Sequence, residues 1–119
     1  MNQVDTPNTE SIKYVETNYP EMSNHFKMVQ RKQYELFCLK QMDYGPSNIA
    51  MGTTLSNPKE IKWSLTAILV RTNDKIQRLI NLIYLNDREP KNESIIDSFM
   101  DISVYAIIAL IVSSGKWGK

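Results

Sequence analysis

The residues of this chain whose types and spacing could do chemistry form two rows of opposite charge. Glu93, Asp97 and Asp101 recur every fourth residue, so on a helix they span about 80° of its surface. No lysine or arginine stands between Lys91 and Lys116 to neutralise them. Carboxylates on one exposed arc repel by roughly 0.2–0.5 kcal/mol per adjacent pair, and burial raises that cost. Something positive has to face them. One candidate is a hard divalent cation such as Mg²⁺, which takes oxygen ligands. The other is the basic row Arg71, Lys75, Arg78 on the preceding segment. The expectation is that the two rows look into a shared, ligand-sized gap. Direct pairing of the rows, with nothing between them, is the alternative. Glu35, Lys40, Asp43 and Tyr44 add further polar groups towards the end of an earlier helix, where Tyr44 either stacks on a base or covers the helix end.

Three long helices have to position these groups. The first is expected from Glu21 or Ser23 to about Met42, because Phe26, Val29, Leu36, Phe37 and Leu39 recur near helical spacing; Gly45-Pro46 stops it. Residues 45–57 read as a loop. The second helix has the clearest start: Asn57 caps it, Pro58 suits its first position and Glu60 meets the positive end of the dipole. It should run to about Leu85, with Ile61, Leu65, Ile68, Thr72, Ile76, Leu79 and Ile83 on one stripe and Arg71, Asp74, Lys75 and Arg78 behind. The third should start after Asn92 as cap and run from Glu93 to about Ser114, with Gly115 as its stop. It is apolar all round, as helices buried by a second subunit are. Trp63 and Trp117 are placed to face such an interface. Residues 1–20 form a polar arm, in which a short helix over Glu10–Tyr19 could be capped by Thr9. Residues 21–119 then form one all-α domain, an oligomeric bundle of three to four long helices.

Composition narrows the function classes. The chain has 119 residues, 42% hydrophobic and 23% charged, which suits one soluble domain. Its formal net charge is +1, so no global field draws it to duplex nucleic acid. Locally, residues 57–91 carry net +3 and residues 92–119 net −1. One cysteine, Cys38, and one histidine, His25, exclude an intramolecular disulfide and a His-rich zinc site. Neither G-x-G-x-x-G nor a P-loop is present. The longest apolar run, Val104 to Val112, has 9 residues, against about 20 for a bilayer. Residues 1–7 hold no basic region followed by an apolar stretch, so no signal peptide is expected there. The expected setting is the cytoplasm, with no membrane partner.

The ordered set Lys40-x-x-Asp43-Tyr44-Gly45, Ser47-Asn48-Ile49, Leu69-Val70-Arg71-x-x-Asp74-Lys75-Ile76-x-Arg78-Leu79 and Asn92-Glu93-Ser94-Ile95-x-Asp97-x-x-x-Asp101-x-x-x-Tyr105-Ala106 resembles the nucleotide modification associated domain of type one, carried by phages and some bacteria. The resemblance covers residues 26–114. It implies an all-α fold and a role in nucleotide metabolism, with a more distant similarity to all-α nucleotide pyrophosphatases of the MazG and dimeric dUTPase type, which oligomerise and hold Mg²⁺ on carboxylates. Their first motif, E-x-x-E, is here reduced to Glu35 with Arg31 four residues before it. In such a site Lys40, Arg71, Lys75 and Arg78 would meet phosphates, and Tyr44 or Asn48 the base or sugar. Glu35 or Asp43, with Glu93, Asp97 and Asp101, would hold Mg²⁺. The leading expectation is a phage-type homo-oligomer, dimer or tetramer, that binds a phosphorylated nucleotide between helices and hydrolyses or helps modify it. One alternative is a non-catalytic sponge for a nucleotide messenger of bacterial immunity. The other is a helical interaction module without a ligand.

Overall fold

The computed structural model describes residues 8–119. Among them it is all-helical: α1 (Thr9–Asn18), α2 (Pro20–Tyr44), the single turn α3 (Ser47–Ala50), α4 (Pro58–Leu79) and α5 (Ile95–Ser113). α4 runs on into a π-helical turn, Ile80–Leu85. The chain packs as two compact units, one ending at Leu36 and the other formed by Phe37–Lys119; α2 contributes to both.

In the first unit, α1 is capped by Asn8, whose side chain accepts from the Ser11 amide at 3.0 Å. Thr9, expected as the cap, is instead the first helical residue. The helix ends where Pro20 forces the preceding residue out of the helical region, and Tyr19 accordingly sits at φ −135°. Pro20 then opens α2, a position that suits a residue lacking an amide hydrogen. Lys27 pairs with Glu16 at 2.6 Å. Neither α1 nor α2 holds a buried residue.

The second unit contains the core. Ile49 and Ala50 of α3, Ile68 of α4, and Val104, Ile108 and Val112 of α5 close around Trp117. Trp117, expected at a subunit interface, is an internal residue, only 8% exposed. Its indole donates to the Pro46 carbonyl at 3.0 Å, and Phe37 meets its ring edge-on at 6.0 Å. The chain returns to this contact because Gly115, at φ +75°, ends α5 with the Lys116 amide bonded to the Ile111 carbonyl at 3.2 Å. That is the left-handed glycine stop of many helices. At the other end, α5 starts later than its sequence suggests. Its cap is Ser94, which accepts from the Asp97 amide at 3.0 Å, rather than Asn92. Glu93 therefore lies before the helix.

α4 starts where expected. Asn57 accepts from the Glu60 amide at 3.0 Å, and Glu60 reaches back to the Ser56 amide at 3.0 Å, a reciprocal cap. Its inward face differs from the apolar stripe. The buried residues are Ser64, Ile68 and Leu79, followed by Leu82. At 100° per residue the centre of that face falls next to Lys75. The helix is thus rotated towards its basic residues, and Ile76, Ile80 and Ile83 are left exposed.

Candidate functional site

The rotation of α4 brings the basic row onto the residues around the start of α5. Lys75 lies between Glu93 and Asp101, 2.9 Å from Glu93 Oε2 and 3.0 Å from Asp101 Oδ2. Lys40, on the second unit's part of α2, takes the other Asp101 oxygen at 3.2 Å. Asp101 is buried, with its side chain 11% exposed, and each of its oxygens is met by a lysine. Burial without them would be costly. Arg78 donates to Ser98 Oγ at 2.7 Å and to the Glu93 carbonyl. Ser98, fully buried, donates in turn to Glu93 Oε2 at 2.9 Å. Arg78 and Glu93 side chains approach to 3.9 Å.

The electrostatics follow from these contacts. Burial pulls the Lys75 pKa down, but its hydrogen bonds and charge interactions with Glu93 and Asp101 outweigh this and leave it raised. For Glu93 the hydrogen bond from Lys75 is the largest effect. With Ser98 and Arg78 it outweighs burial and holds the carboxyl below the usual range. Both shifts favour the charged pair.

The expected gap between the rows is therefore closed. Lys75 and Arg78 touch Glu93 and its neighbours directly, which is the alternative arrangement. Two features close it. Glu93 is released from the helix by the Ser94 cap and can fold over the α4 cations. Ser98 is small enough for the Arg78 guanidinium to seat against α5. Ser98 was not among the candidate residues; its signal lies in its place three residues before Asp101 on the same helical face.

The other candidates are distributed differently. Arg71 is half-buried and donates to the Asn48 backbone carbonyl at 3.1 Å. The Asn48 side-chain oxygen is buried with no hydrogen-bond partner. Asp97 is exposed in the first turn of α5, where a carboxylate stabilises the helix dipole, and it does not join the Lys75 network. Asp43 and Tyr44 are exposed at the end of α2, and Glu35 is exposed in the first unit.

Among the described residues no three acidic, histidine or cysteine side chains come together as metal ligands. The two carboxylates that do approach each other, Glu93 and Asp101, share a lysine. What the arrangement offers instead is a cluster of cations, with a buried, unpartnered amide oxygen on Asn48, the residue whose carbonyl Arg71 bonds. Comparison with family models, curated proteins and solved structures finds no match.

Proposed function

We propose that this chain binds the phosphates of a nucleotide, or of a nucleotide-derived small molecule, and holds the ligand without turning it over. The observation that carries this reading is the charge balance of the network. Among the described residues the carboxylates paired with Lys40, Lys75 and Arg78 are Glu93 and Asp101, and Arg71, one turn before Lys75, adds a further cation that bonds a neutral carbonyl. Four cations stand against two carboxylates. The surplus is reachable, because the Lys40 side chain is 47% exposed and a single hydrogen bond leaves most of the Arg71 fork unused. Phosphate oxygens match an arginine fork and a lysine point charge.

Retention rather than hydrolysis is favoured because Glu93 and Asp101, two of the carboxylates expected to hold Mg²⁺, are engaged by lysines. The resemblance to the phage-type nucleotide modification associated domain supports the ligand class. Together these point to the sponge form of the function: a phage-type homo-oligomer in the host cytoplasm that sequesters a nucleotide messenger of bacterial immunity. Titration calorimetry against nucleoside mono-, di- and triphosphates and cyclic nucleotides, with and without Mg²⁺, tests it. Binding should not require Mg²⁺, the ligand should be recovered unchanged, and Arg71→Ala should weaken binding about tenfold or more. Silence across the panel, or release of monophosphate and pyrophosphate, refutes the reading.

A further inference from the structure

The outward face of α5 carries a second pattern, independent of the ligand. Ile96, Phe99, Ser103, Ala106, Leu110 and Ser113 follow each other at alternating intervals of three and four residues, the spacing of a helix–helix seam. Its large members are open: Ile96 is 71% exposed, Phe99 52% and Leu110 66%. No charge interrupts the row. The one hydroxyl at its middle, Ser103, donates to the Met100 carbonyl at 2.6 Å, so covering it strands no donor.

We propose that this face packs antiparallel against the same face of a second copy of the chain. The order of side chains is self-complementary under a two-fold axis placed between Ser103 and Ala106. That axis sets Phe99 opposite the second copy's Leu110, and Ser103 opposite its Ala106. Ile96 falls opposite its Ser113. Small residues then meet at the crossing point, where backbones approach most closely, and large ones flank it on both sides. The large side chains of the seam supply roughly half of the ~800 Å² per partner that a stable interface buries. The adjoining apolar groove, where Phe99 and Ile102 of α5 meet Ile80, Ile83 and Tyr84, extends it.

A lipid bilayer is the competing occupant, because α5 is long and apolar enough to cross one by length and composition. The second copy is favoured because the opposite face of α5 carries Asp101, held by two lysines, charges that are costly in a bilayer core. The test uses the full chain. Sedimentation should show a dimer, and Leu110→Arg should weaken dimerisation about 100-fold with the helical circular dichroism unchanged. In a Cys38→Ser background, mild oxidation of a mixture of Ser103→Cys and Ala106→Cys proteins should give the mixed disulfide in preference to either symmetric one. That readout does not depend on how well Leu110→Arg folds. A monomer at all concentrations, dominance of the symmetric disulfides, or flotation of the protein with phosphatidylcholine–phosphatidylglycerol vesicles would overturn the proposal. None of these outcomes bears on nucleotide binding, which calorimetry reads separately.

Discussion

Asp101 and Lys75 set the terms at the scale of single residues. Asp101 is among the few buried polar groups of the molecule, and its two oxygens face Lys40 and Lys75. The two lysines are not equivalent. Lys75 is the more enclosed, with a 24% exposed side chain against 47% for Lys40, and it also serves Glu93. Lys75→Met should therefore destabilise the fold by about 2 kcal/mol, less than the 3–5 kcal/mol of a fully buried pair because Lys40 and solvent partly compensate. Lys40→Met should cost under about 1 kcal/mol, as exposed pairs do. Urea denaturation of the two variants measures the contrast, and equal losses would contradict it. Lys75 and Glu93 make stability depend on pH at both ends. The folded Glu93 pKa lies below its ordinary value of 4.5. Its contribution is complete above that value and disappears as pH falls through the folded one. The folded Lys75 pKa lies above its ordinary 10.5. Its contribution is complete below 10.5 and disappears as pH rises through the folded value. Urea midpoints should show a plateau between these limits, and Glu93→Gln should shorten the fall on the acid side.

Among the elements, α4 is built on local chemistry at one end and on tertiary packing at the other. The Asn57–Glu60 cap is a local device, and Asn57→Ala should cost about 1 kcal/mol, read as a lower thermal midpoint with unchanged contacts elsewhere. Gly115→Ala should cost a similar amount, about 1–2 kcal/mol, because an alanine at φ +75° is strained in the left-handed region. Such local devices are legible in a sequence, which is why the start of α4, the Gly45-Pro46 stop and the Gly115 stop of α5 are found where the residue types place them. What the sequence leaves open is rotation and distance. The apolar stripe of α4 points about Ile68 and Ile76, yet the helix turns Lys75 inward and leaves Ile76 exposed, because burying Asp101 demands a cation. The expected cap of α5 is Asn92; the observed cap is Ser94, which takes Glu93 off the helix and onto Lys75. The opposition of an acidic and a basic row was legible from spacing; the absence of a gap between them was not. That depends on Ser98, whose small side chain lets α4 come close, and on a loop whose course no periodicity describes.

For the molecule as a whole, the decisive fact is where burial lies. Among the described residues, every buried one falls between Ile49 and Trp117, while α1 and α2 bury none. Secondary structure of this length gains most of its stability from packing rather than from propensity, so the two units should open with very different free energies. Hydrogen exchange on the full chain reads this directly. Amides of α4 and α5 that face Ile68, Ile108 and Val112 should exchange only through global unfolding, the slowest class. Amides of α1 and of α2 up to Leu36 should exchange through local opening, with much weaker protection. A core substitution separates the two cases. Ile108 is 3% exposed, so Ile108→Ala should lower the protection of the slow class by about 2–5 kcal/mol. The α1 amides, which report opening of their own unit, should keep the exchange rates of the unsubstituted chain. Equal loss of protection in α1 and α5 would show a single cooperative unit and refute the assignment of stability to the second unit alone.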